Sequence, residues 1–253
     1  MNKTAQERSY KLFNGIKSEL SETDPEFINI IANFSQDEVI AENHLSEREQ
    51  MLCILSALLG VQGKGEFGNM LHAALNSGLE PEVIKEVIYQ ATAYLGIGRT
   101  YDFLVLANQI MKQHGINLPL KAQATTNEMT RFGDGLVKQI ELFGENMAKR
   151  QTDGPVLRKN INRWLADNCF GDYYTRHGLN DQEREMITFC FILAQGGCEN
   201  QLRGHTAGNF GVGNDKEKLY GVVEQCMPYI GYPRSLNAMN IIDEVDLKLN
   251  PSK

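Results

Sequence analysis

Only five cysteines occur in the 253 residues, Cys53, Cys169, Cys190, Cys198 and Cys226. They are odd in number and hold no CxxC pair, which excludes a disulfide framework and a zinc cluster and leaves buried free thiols. Basic charge is equally scarce: the formal net charge is −7 and no Lys/Arg stripe runs along the chain. A general nucleic-acid binder, which must neutralise phosphates, is therefore excluded. The opening MNKTAQERSYKLFNG has no apolar h-region, and no later stretch has the length and apolarity of a membrane span. No membrane partner is expected, and a cytoplasmic protein is. Nowhere do alternating strands meet at hairpin turns. What is present, 42% hydrophobic and 23% charged residues with one Trp and seven Pro, is the profile of a folded globular chain with a small molecule as partner.

An internal repeat organises that chain. The segment Leu45–Gly60 aligns with Asp181–Gly196 and sets Glu47, Arg48 and Glu49 on Glu183, Arg184 and Glu185. Phe34 falls on Phe170 at the same offset. His72 and Gly78 match His205 and Gly211, and Tyr94-Leu-Gly-Ile-Gly-Arg99 matches Tyr229-Ile-Gly-Tyr-Pro-Arg234. Val83, Ile84, Val87, Ile88 and Ala91 recur at helical steps, as do Leu219, Val222, Val223 and Cys226. Pro81 suits a first helical turn, and Asn214 or Asp215 a cap. The apolar runs 51–59 and 186–194 follow charged helix-start segments and end at Gly, so they are expected as central helices rather than strands. Gly78 and Gly211 are each expected to end a short helix bearing the aligned His. Residues 116–130 lose the periodicity and read as a connector. The fold expected is all-α, two tandem helical units over 1–120 and 125–248, packed about a pseudo-twofold axis.

The chemistry concentrates in Gly196-Gly-Cys198-Glu-Asn-Gln201-Leu-Arg203-Gly-His205, with Glu185 one helix upstream and Arg234 in the turn Gly231-Tyr232-Pro-Arg-Ser. A neutral imidazole moves protons near pH 7, and guanidinium groups orient carboxylates through paired donors, so the set suits an anionic small molecule. On a purely structural reading His205 packs a helix, Arg203 is solvated and Glu185 pairs with a neighbouring Arg. Nothing in the cluster asks for a metal.

The run Phe170-Gly-Asp-Tyr-Tyr-Thr-Arg-His-Gly-Leu179, then Glu185, then Glu199-Asn-Gln-Leu-Arg-Gly-His205, then Tyr229-Ile-Gly-Tyr-Pro-Arg-Ser-Leu-Asn-Ala238 resembles the successive signatures of the carboxymuconolactone decarboxylase family. With Arg131-Phe-Gly-Asp-Gly135 and Leu142-Phe-Gly-Glu145 it covers about 125–246, and residues 8–115 match more loosely. The resemblance implies an alkyl hydroperoxidase D-like multi-helix unit, duplicated in tandem, with no cofactor. It also implies a homo-oligomer, a trimer or hexamer-like ring. The decarboxylase branch acts on an unsaturated lactone bearing carboxylates in aromatic catabolism. Carried over, His205 is the acid/base, Glu185 orients the imidazole or the anchoring Arg, and Gln201 stands four residues before His205, where the family's decarboxylases carry Glu. Arg203, Arg234, Tyr232 and Cys198 are the expected substrate-binding residues. A second site is expected at His72, Glu66 and Arg99, weakened by a stretch before His72 that is longer by three residues and by Gly98 in place of Pro233.

Two alternatives stay open. A thiol peroxidase resembling alkyl hydroperoxidase D would use Cys198, but Gln201 occupies the second Cys position, leaving only a distant thiol such as Cys190. A non-catalytic helical binding protein would take up anionic aromatic breakdown products without turnover.

Overall fold

A computed structural model describes residues 1–15 and 18–251. The first unit opens with α1 (Lys3–Phe13), α2 (Leu20–Thr23) and α3 (Pro25–Asn33), then a π-helical turn (Phe34–Glu38) and α4 (Val39–Ala41). Four longer helices follow: α5 (Glu47–Gly60), α6 (Lys64–Asn76), α7 (Pro81–Leu95) and α8 (Ile97–Gln113). The second unit begins with α9 (Arg131–Phe143), α10 (Asn146–Thr152), a 3₁₀ turn (Val156–Arg158), α11 (Lys159–Trp164) and a π-helical segment (Leu165–Tyr174). It closes with α12 (Asp181–Gln195), α13 (Glu199–Gly211), α14 (Lys216–Ile230) and α15 (Tyr232–Leu249). Among the described residues every regular element is helical, and no helix is long and apolar enough to cross a membrane.

Local sequence sets these boundaries. Ser46 and Asn180 cap α5 and α12 through reciprocal capping boxes with Glu49 and Glu183, satisfying amides that the first turn leaves open. Pro81 starts α7 and the Asp215 carboxylate caps α14. Between α7 and α8, and between α14 and α15, the chain turns at Gly96 (φ 79°, ψ 154°) and Gly231 (φ 80°, ψ 163°). That region is almost closed to residues with a Cβ, so both turns demand glycine.

The apolar runs become α5 and α12, which are buried on all sides and pack against each other at the centre. A Cβ on Gly60 would stand 2.6 Å from the Cβ of Ala194, so the two helices cross closely there. Around this pair the units exchange helices: α7 of the first unit lies on α12, and α14 of the second lies on α5. Each buried Leu, Ile or Phe here contributes about 1.5–3 kcal/mol. The core is continuous across both units.

The helices also correct the repeat's register. α6 and α13 both have thirteen residues and both follow a three-residue turn, so there is no insertion before His72. The left-handed glycine after each is Gly78 (φ 87°) and Gly213 (φ 89°), whereas Gly211 is the last helical residue. Position for position, His205 corresponds to Met70, Gln201 to Glu66 and Gly208 to Ala73. Counted from the caps of α5 and α12, Glu185 corresponds to Met51 and Thr188 to Ile54. Matching the short motifs by identity sets the two repeats two residues out of register.

Candidate active site

The site grows from the polar stripe of an otherwise apolar interface. Glu185 is wholly buried, at the fifth position of α12, and its Oε2 lies 2.9 Å from Nδ1 of His205 on α13. Its other oxygen accepts a 2.9 Å hydrogen bond from the Tyr174 hydroxyl. Both oxygens of the carboxylate are thus engaged, and the pairing holds the imidazole with Nδ1 toward Glu185. Because Tyr174 gives its only proton to Glu185, the hydroxyls of Tyr94 and Thr188, each 2.9 Å away, donate to its oxygen. Burial raises both tyrosines well above the usual phenol range, so both remain donors. The Cys169 thiol, pushed up to about 12 by burial, points at the Tyr94 oxygen from 3.9 Å.

Tyr94 belongs to the first unit. It comes from a stripe Glu86-Gln90-Tyr94 of α7, one turn apart, that faces α12. Gln90 donates to the Arg184 carbonyl and to Thr188 and accepts from the Arg184 guanidinium, which also reaches Glu86 at 3.4 Å. Thus one unit's helix braces the other's acid.

The imidazole is further fixed by shape. The rings of Tyr94 and Phe143 both meet it edge-on, with centroids 5.4 Å away. Asn209 ties α13 to α12 by donating to the carbonyls of Glu185 (3.0 Å) and His205 (2.7 Å). Close approach requires Gly208, where a Cβ would stand 2.5 Å from Glu185 Oε2 and 2.9 Å from Phe143 Cε1. The His205 side chain is 13% exposed, and among the described residues nothing bonds its Nε2. The arrangement yields a carboxylate-backed imidazole with one nitrogen presented outward, suited to giving or taking a proton.

The other expected residues are placed differently. Arg203 stands two residues from His205, on the far side of α13, and pairs with Glu244 of α15 at 2.8 Å. Arg234 donates to the Ala194 carbonyl, capping the carboxyl end of α12. Tyr232 leans on Phe34 with ring centroids 6.3 Å apart. Cys198 shares with Arg234 and Leu202 a recess of about 30 Å³, room for a water rather than a substrate. Gln201 alone shares the face of His205, one turn before it, exposed and without a hydrogen bond among the described residues.

Nor does the first unit gather its candidates. His72 bonds His114 (2.9 Å), Glu66 accepts from Asn69 (2.8 Å), and Arg99 reaches Gln195 (3.1 Å). His72 lies two positions past the place of His205, about 200° around the helix. The proposed thiol partner fails as well. Cys190 is fully buried, 3.7 Å from Cys226, and burial raises the Cys190 and Cys53 thiols well above their usual range.

In the sequence Phe143 and Tyr174 stand only within family-like runs, Gly208 carries no role, and Tyr94 is only a repeat position. The available signal was the polar series Glu86, Gln90, Tyr94 inside the apolar face of α7.

The profile of the Carboxymuconolactone decarboxylase family matches residues 25–109 and again residues 160–244. A 4-carboxymuconolactone decarboxylase of Acinetobacter baylyi is 29% identical over 130 residues, 50% of this chain and 96% of that protein. A crystal structure from Burkholderia xenovorans LB400, described as a gamma-carboxymuconolactone decarboxylase subunit, superposes with a TM-score of 0.55 at 16% identity. The superposition covers 98% of this chain and 97% of that one, a likeness of fold.

Proposed function

We propose a reaction from one premise, which the two profile matches show: this chain belongs to the carboxymuconolactone decarboxylase family. The reaction is loss of CO2 from an unsaturated, carboxylated lactone at His205, without a cofactor. As the carbon–carboxylate bond breaks, its electron pair spreads through the conjugated ring onto the lactone carbonyl. His205, protonated on both nitrogens and backed by Glu185, then delivers the Nε2 proton to the ring carbon and recovers one from solvent. Carbon dioxide and the decarboxylated lactone leave. Gln201 is placed to donate to the carbonyl oxygen as charge develops there, a role for which an amide serves and proton exchange is not needed. Arg203 and Arg234 would have to leave Glu244 and the Ala194 carbonyl to hold a substrate carboxylate.

The observation that carries this reading is the 2.9 Å pairing of His205 with buried Glu185. Exposed apolar residues at Ile97, Tyr101 and Val105 on α8, and at Tyr232 and Leu236 on α15, support a homo-oligomer. The test is CO2 release from a panel of unsaturated carboxylated lactones by wild type and His205→Asn. Turnover lowered roughly a thousandfold in the variant is expected for lost acid/base catalysis. Binding without CO2 release by the wild type would replace the reaction with the binding reading, which Gln201 in place of Glu favours.

A further inference from the structure

The helix exchange creates two inter-unit grooves at corresponding places in the two repeats. One, about 580 Å³, lies between α7, α8, the connector around 118–123 and Arg176 in the segment leading into α12. The other, about 430 Å³, lies between α14 and the segment leading into α5. Their charges are opposite. Lys85 and Tyr89 of α7 correspond to Tyr220 and Glu224 of α14, and Arg176 corresponds to Glu42 when counted from the caps. The second groove is acidic, whereas in the first Lys85, Lys112, Lys121 and Arg176 face only Glu82 and Glu86.

Glu86 is already engaged by Arg176, at 2.9 and 3.0 Å, and by Arg184. Lys85 is only 9% exposed, and its ammonium bonds the Asn108 amide oxygen. Among the described residues neither Lys85, Lys112 nor Lys121 forms an ion pair, whereas Lys138, Lys216 and Lys218 all do. A covered ammonium with no counterion is costly, and burial accordingly lowers the Lys85 pKa. The same groove carries an apolar wall of Leu118, Pro119, Leu120 and Ala122. Tyr89, also in the lining, has the Arg176 guanidinium over its ring at 5.2 Å.

We propose that this groove is a second ligand site, separate from His205, which binds a small carboxylate with a flat apolar body, the carboxylate on Lys85 and the body against Leu118–Ala122. Its volume falls in the range of small-molecule sites. The groove suits a carboxylate better than a phosphate, because Arg176, the only guanidinium lining it among the described residues, is committed to Glu86.

Benzoate is the probe, titrated calorimetrically into the full chain, with inorganic phosphate in a parallel arm. Benzoate is expected to bind the wild type and His205→Asn alike, which keeps this result independent of the proposed reaction. Lys85→Met should weaken it about tenfold or more, the loss of a charge-assisted contact. Lys112→Met/Lys121→Met, changed at exposed positions with the fold intact, should weaken it severalfold. Tyr220→Phe in the acidic groove should leave it unchanged. Undiminished binding to Lys85→Met, loss of binding in His205→Asn, or phosphate binding as tightly as benzoate would each overturn the proposal.

Discussion

At the seventh position of two helices of equal length, one unit carries His205 and the other Met70. The difference extends through everything around them. Where α12 offers Glu185 and Thr188, α5 offers Met51 and Ile54. Tyr94 crosses from the first unit to hydrogen-bond Tyr174, while its counterpart Tyr229 crosses the other way and its hydroxyl, among the described residues, bonds the Met70 sulfur alone, at 3.9 Å. Gln90 has all its partners, but its counterpart Gln225 is fully buried with both amide atoms unpartnered among the described residues. The backbone frame and the helix exchange are thus common to both halves, and the polar network exists on one side only. A repeated fold fixes where a site can be, and the residues at a few interior positions decide whether one is there.

Glu185→Gln strikes the comparison at its centre. It is expected to lower turnover on the order of a hundredfold on any lactone the wild type decarboxylates, by losing the carboxylate that backs the imidazolium. Met51→Leu, at the equivalent place, should change nothing in the same steady-state assay. Equal effects would mean that the two halves do not differ in function.

Stability sharpens the contrast next. Gln90→Met leaves the Arg184 guanidinium without its 2.6 Å acceptor and should cost roughly 3 kcal/mol. Gln225→Met removes two unpartnered buried atoms and should stabilise by about 1 kcal/mol. Chemical denaturation of both variants reads the sign directly, and destabilisation by both would show that Gln225 has partners in solution.

A smaller pair of opposite design follows. Gly208→Ala should cost about 2 kcal/mol by overpacking Glu185 and Phe143, a fall of several degrees in Tm. Ala73→Gly, its counterpart, should cost about 1–2 kcal/mol, through backbone entropy and the loss of one buried methyl. Thermal unfolding at neutral pH distinguishes them, and only Gly208→Ala should also lower turnover.

Much of this was legible in the chain. Capping residues, the Gly96 and Gly231 turns and the apolar runs at 51–59 and 186–194 declare themselves locally, because each is a short-range requirement of a helix. His205 and Glu185 were legible through their motif. The placement of Arg203 and Arg234 was not, since a linear cluster hides that residues two apart on a helix face opposite ways. Tyr94 was hidden for a different reason: its role depends on helix exchange between units 80 residues apart in sequence from Tyr174 to Tyr94. The register of the repeat also needed the turns, because Gly78 and Gly213 share a conformation rather than a motif.

The smallest effect expected is none. Met70→His puts an imidazole at the counterpart of His205, on the equivalent helix α6 and near the equivalent crossing tyrosine, Tyr229, so a site defined by its histidine alone would gain activity. Met51 offers no carboxylate to back its Nδ1, Ile54 and Tyr229 supply no hydroxyl chain to one, and Met70 is 1% exposed, so the new ring would be buried without the acid that holds His205. In the His205→Asn background, Met70→His should therefore leave CO2 release at the level of the single variant and lower stability by about 1–3 kcal/mol. Adding Met51→Glu would bury a carboxylate that lacks the Tyr174 donor, and should destabilise further rather than restore the rate. Recovery of turnover to within about tenfold of wild type by Met70→His alone, where a tenfold change is about 1.4 kcal/mol of barrier, would show that an unbacked imidazole suffices and that Glu185 is not what separates the two halves.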